Sequence, residues 1–347
     1  MPRLIRRLPE GPLDIIGDVH GELEALLALL HRLGVDVDRR TAPRHLVFVG
    51  DLIDRGPDSV AVVALVEWLV HAGVASVVAG NHELNVLAGD HKEGNGWYWG
   101  DASDHVQFDQ RRVPFSSRLA SATERAAIGA FLSELPLVLE RDDLRIVHAC
   151  WDPVAAAKLP QEGSIAALAA AFQQALDAEL VSSGLRERAA EERAAFAQLQ
   201  DQRTEPTRHL AAVAEEDSVY QLRNPVKLLT SGAEVAVLPG SHFFIGGKWR
   251  FVTRDRWWRR PVDRPTVVGH YWRRRDAPIE GRADVWDNLP PFDWSGNVFC
   301  IDYSVGRRFL ERLRGRASNF NGGLGALRWP EREVVFDDRP APEPTRA

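Results

Sequence analysis

Three short apolar runs, each ending in glycine and a side chain able to bind a cation, constrain this chain more than any other feature. Leu13-Asp14-Ile15-Ile16 leads into Gly17-Asp18-Val19-His20-Gly21, and His45-Leu46-Val47-Phe48-Val49 into Gly50-Asp51-Leu52-Ile53-Asp54-Arg55-Gly56. The third, Ala75-Ser76-Val77-Val78-Ala79, leads into Gly80-Asn81-His82-Glu83. Runs of this length and β-branched content read as buried strands. Leu23, Leu26, Leu27, Leu30 and Leu33 then recur at helical spacing until Gly34. Residues 57–72 repeat the pattern, with Pro57 placed for a first helical turn and Gly73 as the stop. Strand–helix–strand alternation is the α/β signature, and its parallel sheets build sites at the C-terminal ends of strands. Asp18 and His20, two residues apart, share one side of such an end. Oxygen and imidazole donors gathered there suit a divalent transition ion.

The rest of the chain adds antiparallel pieces and a helical block. Ser121-Ala122-Thr123-Glu124 is a capping box opening a helix that stops before Pro136. Residues 137–140 and 144–148 form a hairpin across Arg141-Asp142-Asp143. Residues 155–217, rich in alanine and charge, read as a helical insertion, either packed on the core by one face or capping the site. Strand character returns from Val226, with Leu228-Leu229, 235–238, 249–252, 266–270 and 298–303, and 324–328 with 334–336 closes as a hairpin. Residues 1–336 are expected to form one domain that includes this insertion. Residues 337–347, short, polar and proline-rich, are expected to be a disordered tail.

Composition narrows the function. At 347 residues, 45% hydrophobic and 27% charged, the chain has the make-up of a globular protein. A net charge of −6 supplies no general attraction to nucleic acid or anionic membranes, and neither is an expected partner. No apolar run approaches the roughly 18 residues of a membrane span. The basic N-terminus lacks the apolar stretch of a signal peptide. With two cysteines only, Cys150 and Cys300, the expectation is a reducing, cytoplasmic location. Cys150 reads as a small buried hydrophobe.

Together with Ile146-Val147-His148-Ala149 and Val267-Val268-Gly269-His270, the three strand-end motifs resemble those of the calcineurin-like metallophosphoesterases. They look most like the branch of phosphoprotein phosphatases and symmetrical dinucleoside tetraphosphatases, and the resemblance spans residues 13 to 303. It implies an α/β fold of αββα type: a two-sheet sandwich flanked by helices. It also implies two divalent ions, manganese first, with iron and zinc open under mixed nitrogen and oxygen ligation. Carried over from the family pattern, Asp51 bridges the ions, Asp18 and His20 complete one site, and Asn81, His148 and His270 the other. Many members end in Gly-His-x-His; here the second histidine position is Trp272.

His82 would act as general acid, oriented by Asp54, and Arg55 would clamp the phosphoryl oxygens with its planar fork. For a second phosphate contact Arg223, Lys227 and Arg250 stand open. Arg273-Arg274-Arg275 is either a cleft-mouth cluster or a solvated charge run. Trp97, Trp99, Trp249, Trp257, Trp258 and Trp272 either stack a base or pack the core. The reaction implied is direct hydrolysis of a phosphorylated substrate, first a phosphomonoester such as phosphoserine or phosphothreonine, alternatively a symmetrical cleavage of a dinucleoside polyphosphate such as diadenosine tetraphosphate. A non-catalytic scaffold would be marked by lost ligands, and the set is complete except for the optional last histidine.

Overall fold

Alternation of side chains along the apolar runs decides how the sheets stack. In the computed structural model, which describes residues 1–108, 111–197, 204–206, 208–245, 248–276, 286 and 289–346, Leu13 and Ile15 point to one face of their strand and Ile16 to the other. Leu13–Ile16, His45–Phe48 and Ala75–Val77 pair in parallel, as strand–helix–strand units require. They belong to a six-stranded mixed sheet, completed by Gly325–Trp329, Glu333–Phe336 and Glu343–Pro344 on the far side of Leu13–Ile16. A second, five-stranded sheet runs Ile5–Arg7, Val138–Arg141, Leu144–Val147, Thr266–Val268 and Val298–Cys300.

The two sheets share an apolar layer. Leu13, Ile15, Val47 and Val78 of the first meet Leu139, Ile146, Val267 and Phe299 of the second. The outer faces carry the helices: Leu23–Arg32 and Ser59–His71 pack over the first sheet, the former through Ala25, Leu26, Leu29 and Leu30. Two mixed sheets flanked by helices make this an α/β sandwich, as the motifs implied. Helices Ile165–Ser182, Leu185–Ala197 and Ala211–Arg223 occupy the block between the two hairpins and gather a small core of their own with Phe251. Among the described residues no helix is long and apolar enough to cross a membrane.

Two expectations are corrected. Residues around Leu228-Leu229 are not a strand but the helix Pro225–Ser231, because Asn224 caps it by accepting from the Lys227 N–H and Pro225 sits at its first position. The segment after 336 is not a disordered tail over the described residues. Glu343–Pro344 adds a strand to Glu333–Phe336, Arg308 reaches Asp337 at 2.8 Å, and the Trp294 N–H donates to the Arg346 carbonyl at 2.8 Å. Backbone pairing and buried arginines anchor a stretch whose apolar content alone would not.

Asp14 supplies a test of the packing. Its carboxyl is 1% exposed within the strand Leu13–Ile16, with Arg44 at 3.2 Å and Arg328 at 3.7 Å. Burial still pushes it up to about 6, because the two guanidiniums only partly offset lost hydration. A carboxyl raised in the folded state favours folding when protonated, so its contribution declines as pH rises from about 4 to about 6. Between pH 4 and 7 the parent should therefore lose on the order of 3 kcal/mol relative to Asp14→Asn, measured by urea unfolding at both pH values.

Candidate metal centre

The parallel strands of the first sheet and two strands of the second end at the same edge, and their first residues beyond the strands converge. Asp51 lies at the centre. His148 Nε2 is 3.3 Å from its Oδ1, and His20 Nε2 and His82 Nε2 lie 3.7 and 3.8 Å from its Oδ2. Asp18 Oδ2 is 3.9 Å from His20 Nε2 and accepts the His270 backbone N–H at 3.0 Å. Asn81 Oδ1 meets His270 Nδ1 at 2.9 Å. All six residues expected as metal ligands thus fall into one cluster, with His82 beside it.

Backbone geometry makes this convergence possible. His20, Asp51, Asp54, Arg55, His270 and Trp272 all hold positive φ, a region that disfavours residues with a Cβ. Such strain persists only where surroundings over-determine it, and here Glu83 is one such surrounding. Its buried carboxylate accepts the backbone N–H groups of Asp51 at 2.9 Å, Leu52 at 2.8 Å and Gly80 at 2.8 Å. Close approach explains two glycines: a Cβ on Gly80 would collide with the Asp51 carboxylate, and one on Gly269 with that of Asp18.

Two groups of three share one residue: His20, Asp51 and His82, and Asp51, His148 and His270, each with ligand atoms within 4.8 Å of one another. The imidazoles are held in ligand form. His20 donates its Nδ1–H to the Ile53 carbonyl at 3.0 Å and His148 to the Val49 carbonyl at 2.7 Å, leaving each Nε2 facing the cluster. Burial holds His20 and His270 well below their ordinary range, aided by the charge of Arg55 on the first and Arg254 on the second. His148 is different. Burial opposes its charge, yet the Asp51 carboxylate raises it to about 10, and the same contact, with His82, holds Asp51 well below the usual carboxylate range. Positive charge is what this point lacks. The fully buried His148 Nε2 also has no hydrogen-bond partner among the described residues. A donor set of carboxylates, an amide oxygen and imidazole nitrogens around such a point fits divalent cations.

His82 is built into a relay. Its Nδ1–H donates to Asp54 Oδ2 at 2.5 Å, and the other oxygen of Asp54 accepts the Trp97 indole N–H at 2.6 Å. This fixes the ring with Nε2 aimed into the cluster. Arg55 donates to Nε2 of His20 at 2.6 Å and of His82 at 3.0 Å, while its guanidinium lies 4.7 Å from the Trp272 ring.

Several groups escaped the sequence reading. Asp302, buried beside Asp18, accepts the backbone N–H groups of Trp272 and Ser304, each at 2.8 Å, and fixes the loop after His270. Its place at the end of the run Val298–Cys300 was the available signal, the same strand-end position as Asp18 and Asp51. Trp97 is a hydrogen-bond donor to the relay rather than a surface for a base, and Trp257 and Trp258 are buried packing. None of the three cations proposed for a second phosphate contact faces the cluster: Arg223 pairs with Glu179, Lys227 with Gln173 and Arg250 with Glu234. Arg254, at the end of strand Val252–Arg254, lies near enough to depress His270 and stands over Tyr271 at 5.2 Å. Burial pushes the Cys150 thiol far up, consistent with an inert hydrophobe.

Strand-end carboxylates, an amide and imidazoles meeting between two sheets form a candidate binuclear metal centre. Residues 11–174 match the Calcineurin-like phosphoesterase family. Over 74 residues it is 50% identical to the bis(5'-nucleosyl)-tetraphosphatase PrpE [asymmetrical] of Oceanobacillus iheyensis, and 40% identical over 74 residues to that of Bacillus subtilis. Each match covers 20% of this chain and 30% of the relative, so the shared stretch is under a third of those proteins' own length. Among solved structures, a cold-active protein tyrosine phosphatase mutant aligns over 97% of this chain and 80% of that one, at 14% identity and a TM-score of 0.43. A protein serine/threonine phosphatase from Saccharomyces cerevisiae aligns over 47% of this chain and 49% of that one, at 18% identity and a TM-score of 0.34.

The triple acceptor role of Glu83 is directly testable. Glu83→Ala leaves three buried N–H groups unmet, and each such loss costs about 1–3 kcal/mol. Urea unfolding of the EDTA-treated variant should show a stability loss on the order of 3 kcal/mol or more. Parent-like stability would mean that the loops hold their strained shape without it.

Proposed function

We propose that this protein is a metal-dependent phosphoesterase that transfers phosphoryl directly to water, with no covalent enzyme intermediate. One observation carries the reading: a single buried carboxylate, Asp51, belongs to both potential metal groups. Asp18 and His20 would complete one site with Asp51, and Asn81, His148 and His270 the other, with manganese the first expectation and iron or zinc the alternatives. Two divalent ions there would supply charge neutralisation on the phosphoryl group and activation of water. Arg55, poised between His20 and His82, orients the phosphoryl oxygens, and Arg254 is the better placed of the arginines for a second contact. His82 delivers a proton from Nε2 to the leaving oxygen. Asp54 holds the opposite nitrogen and is itself fixed by Trp97.

For the substrate, the relatives' printed activity supports a dinucleoside polyphosphate over a phosphoprotein. The phosphoserine and phosphothreonine expectation rests only on motifs that both branches share. Those relatives are of the asymmetrical kind, whereas the sequence motifs suggested symmetrical scission. Product analysis separates the two, since diadenosine tetraphosphate cut symmetrically gives two ADP and cut asymmetrically gives AMP and ATP.

Two variants test the roles. Asp51→Asn should deprive the purified protein of both ions at once, read by elemental analysis; two retained equivalents with parent activity on an aryl phosphate would sink the assignment. His82→Ala should keep its metal content and lose turnover by about 10²–10⁴-fold, the usual range for a general acid. That loss should shrink as the leaving group improves. A loss of metal instead would make His82 a ligand, which its place in the His20–Asp51 group makes the sharpest rival.

A further inference from the structure

Arg273, Arg274 and Arg275 follow the ligand His270 closely, and two of the three are spent on structure. Arg273 is fully buried and donates to the carbonyls of Cys300, Pro290 and Asp293. Arg275 donates to the Asn321 and Phe320 carbonyls and pairs with Asp338. Arg274, half-buried between them, has no carboxylate partner among the described residues. It lines a cavity of about 250 Å³, with Arg307 and Arg314 on the same wall.

The acids of that wall are already engaged. Asp276 is held by Arg339 at 2.6 Å, and Glu311 accepts the backbone N–H groups of Asn321 at 2.8 Å and Gly322 at 3.1 Å. What faces the cavity beyond these pairs is the guanidinium charge of Arg274 and Arg314, in a protein whose net charge is −6. Like charges gathered in a recess repel unless an anion joins them, and guanidinium forks match phosphate oxygens.

Position ties the cavity to the metal centre. The Trp272 ring has Arg55 at 4.7 Å and Arg307 at 5.7 Å. Gly306, next to Arg307, lies so tightly against the His20 ring that a Cβ there would collide with it. The loop that holds the cavity is thus in contact with a ligand of the cluster.

We propose that this arginine cavity binds the phosphates of the substrate that are not being cleaved. The substrate class is then a polyphosphate chain, as in a nucleoside polyphosphate, and not a lone phosphomonoester. This rests on the phosphoesterase reading of the neighbouring centre.

The test uses the full chain with Arg274→Ala/Arg314→Ala and inorganic tripolyphosphate as probe, after thermal unfolding shows that the variant folds. Tripolyphosphate should bind the parent both with its metals and after EDTA treatment, and the EDTA-treated variant should bind roughly ten-fold or more weakly, as expected for losing charge-assisted hydrogen bonds. The KM for diadenosine tetraphosphate should rise by a similar factor relative to the KM for an aryl phosphate, with kcat moving little. Binding that vanishes from the parent on EDTA treatment, or a variant that binds as the parent does, overturns the proposal. If the parent hydrolyses no phosphoester, the phosphoesterase reading fails by that result, while the cavity stands or falls on EDTA-treated binding.

Discussion

A carboxylate buried among imidazoles from three different segments cannot be held by any one of them. Asp51 is 2% exposed, and its neighbours arrive from both sheets: His20 and His82 from the first, His148 from the second. Outside water, such a group is tolerated only where opposite charge surrounds it. That requirement fixes how far the sheets slide on one another, because the His148 Nδ1–H must also reach the Val49 carbonyl on the strand preceding Asp51. The apolar layer of Ile15, Val47, Ile146 and Val267 lies between the sheets, and polar contacts across it, His148 to Val49 and Asp51 and His270 to Asp18 and Asn81, tie the sheet edges together.

Holding the site open against its own electrostatics has a cost in backbone conformation. Six residues at or next to the cluster hold positive φ, and Glu83 and Asp302 spend buried carboxylates on tying down the loops that contain them. Strain and buried charge lie at the rim where chemistry takes place, while the strands beneath are ordinary apolar alternation. Stability and function are thus divided along the strand axis.

Much of this was legible because the chemistry sits on locally coded turns. Gly-Asp-x-His-Gly and its partners announce strand end, close backbone approach and ligand within one window of sequence, and the α/β sandwich follows from the periodicity between them. What could not be read was anything decided by distant segments. Asp302 follows a strand end as Asp18 and Asp51 do but lies outside any motif, and its role appears only when Val298–Cys300 pairs beside Thr266–Val268. Arg254 lies on a short strand far from any motif, whereas Arg223, Lys227 and Arg250 looked equally suitable until their carboxylate and amide partners were known. Leu228-Leu229 misled because two apolar residues fit either period, and the Asn224 cap decided for helix. The segment after 336 misled because its order comes from strand pairing and buried arginines rather than from its own composition.

The strand Leu13–Ile16, which leads into Asp18 and His20, has a parallel neighbour made within the next few dozen residues, His45–Phe48, and an antiparallel one, Gly325–Trp329, supplied from the opposite end of the sequence. During synthesis the strand Leu13–Ile16 therefore waits with one edge unpaired while some three hundred residues emerge from the ribosome. Contacts of such long sequence separation form slowly, and an exposed apolar edge invites pairing with other chains. The helices Leu23–Arg32 and Ser59–His71 are in place early to cover one face, but only the late hairpin closes the edge. The edge that the finished protein conceals is thus among the last parts of this sheet that synthesis can close.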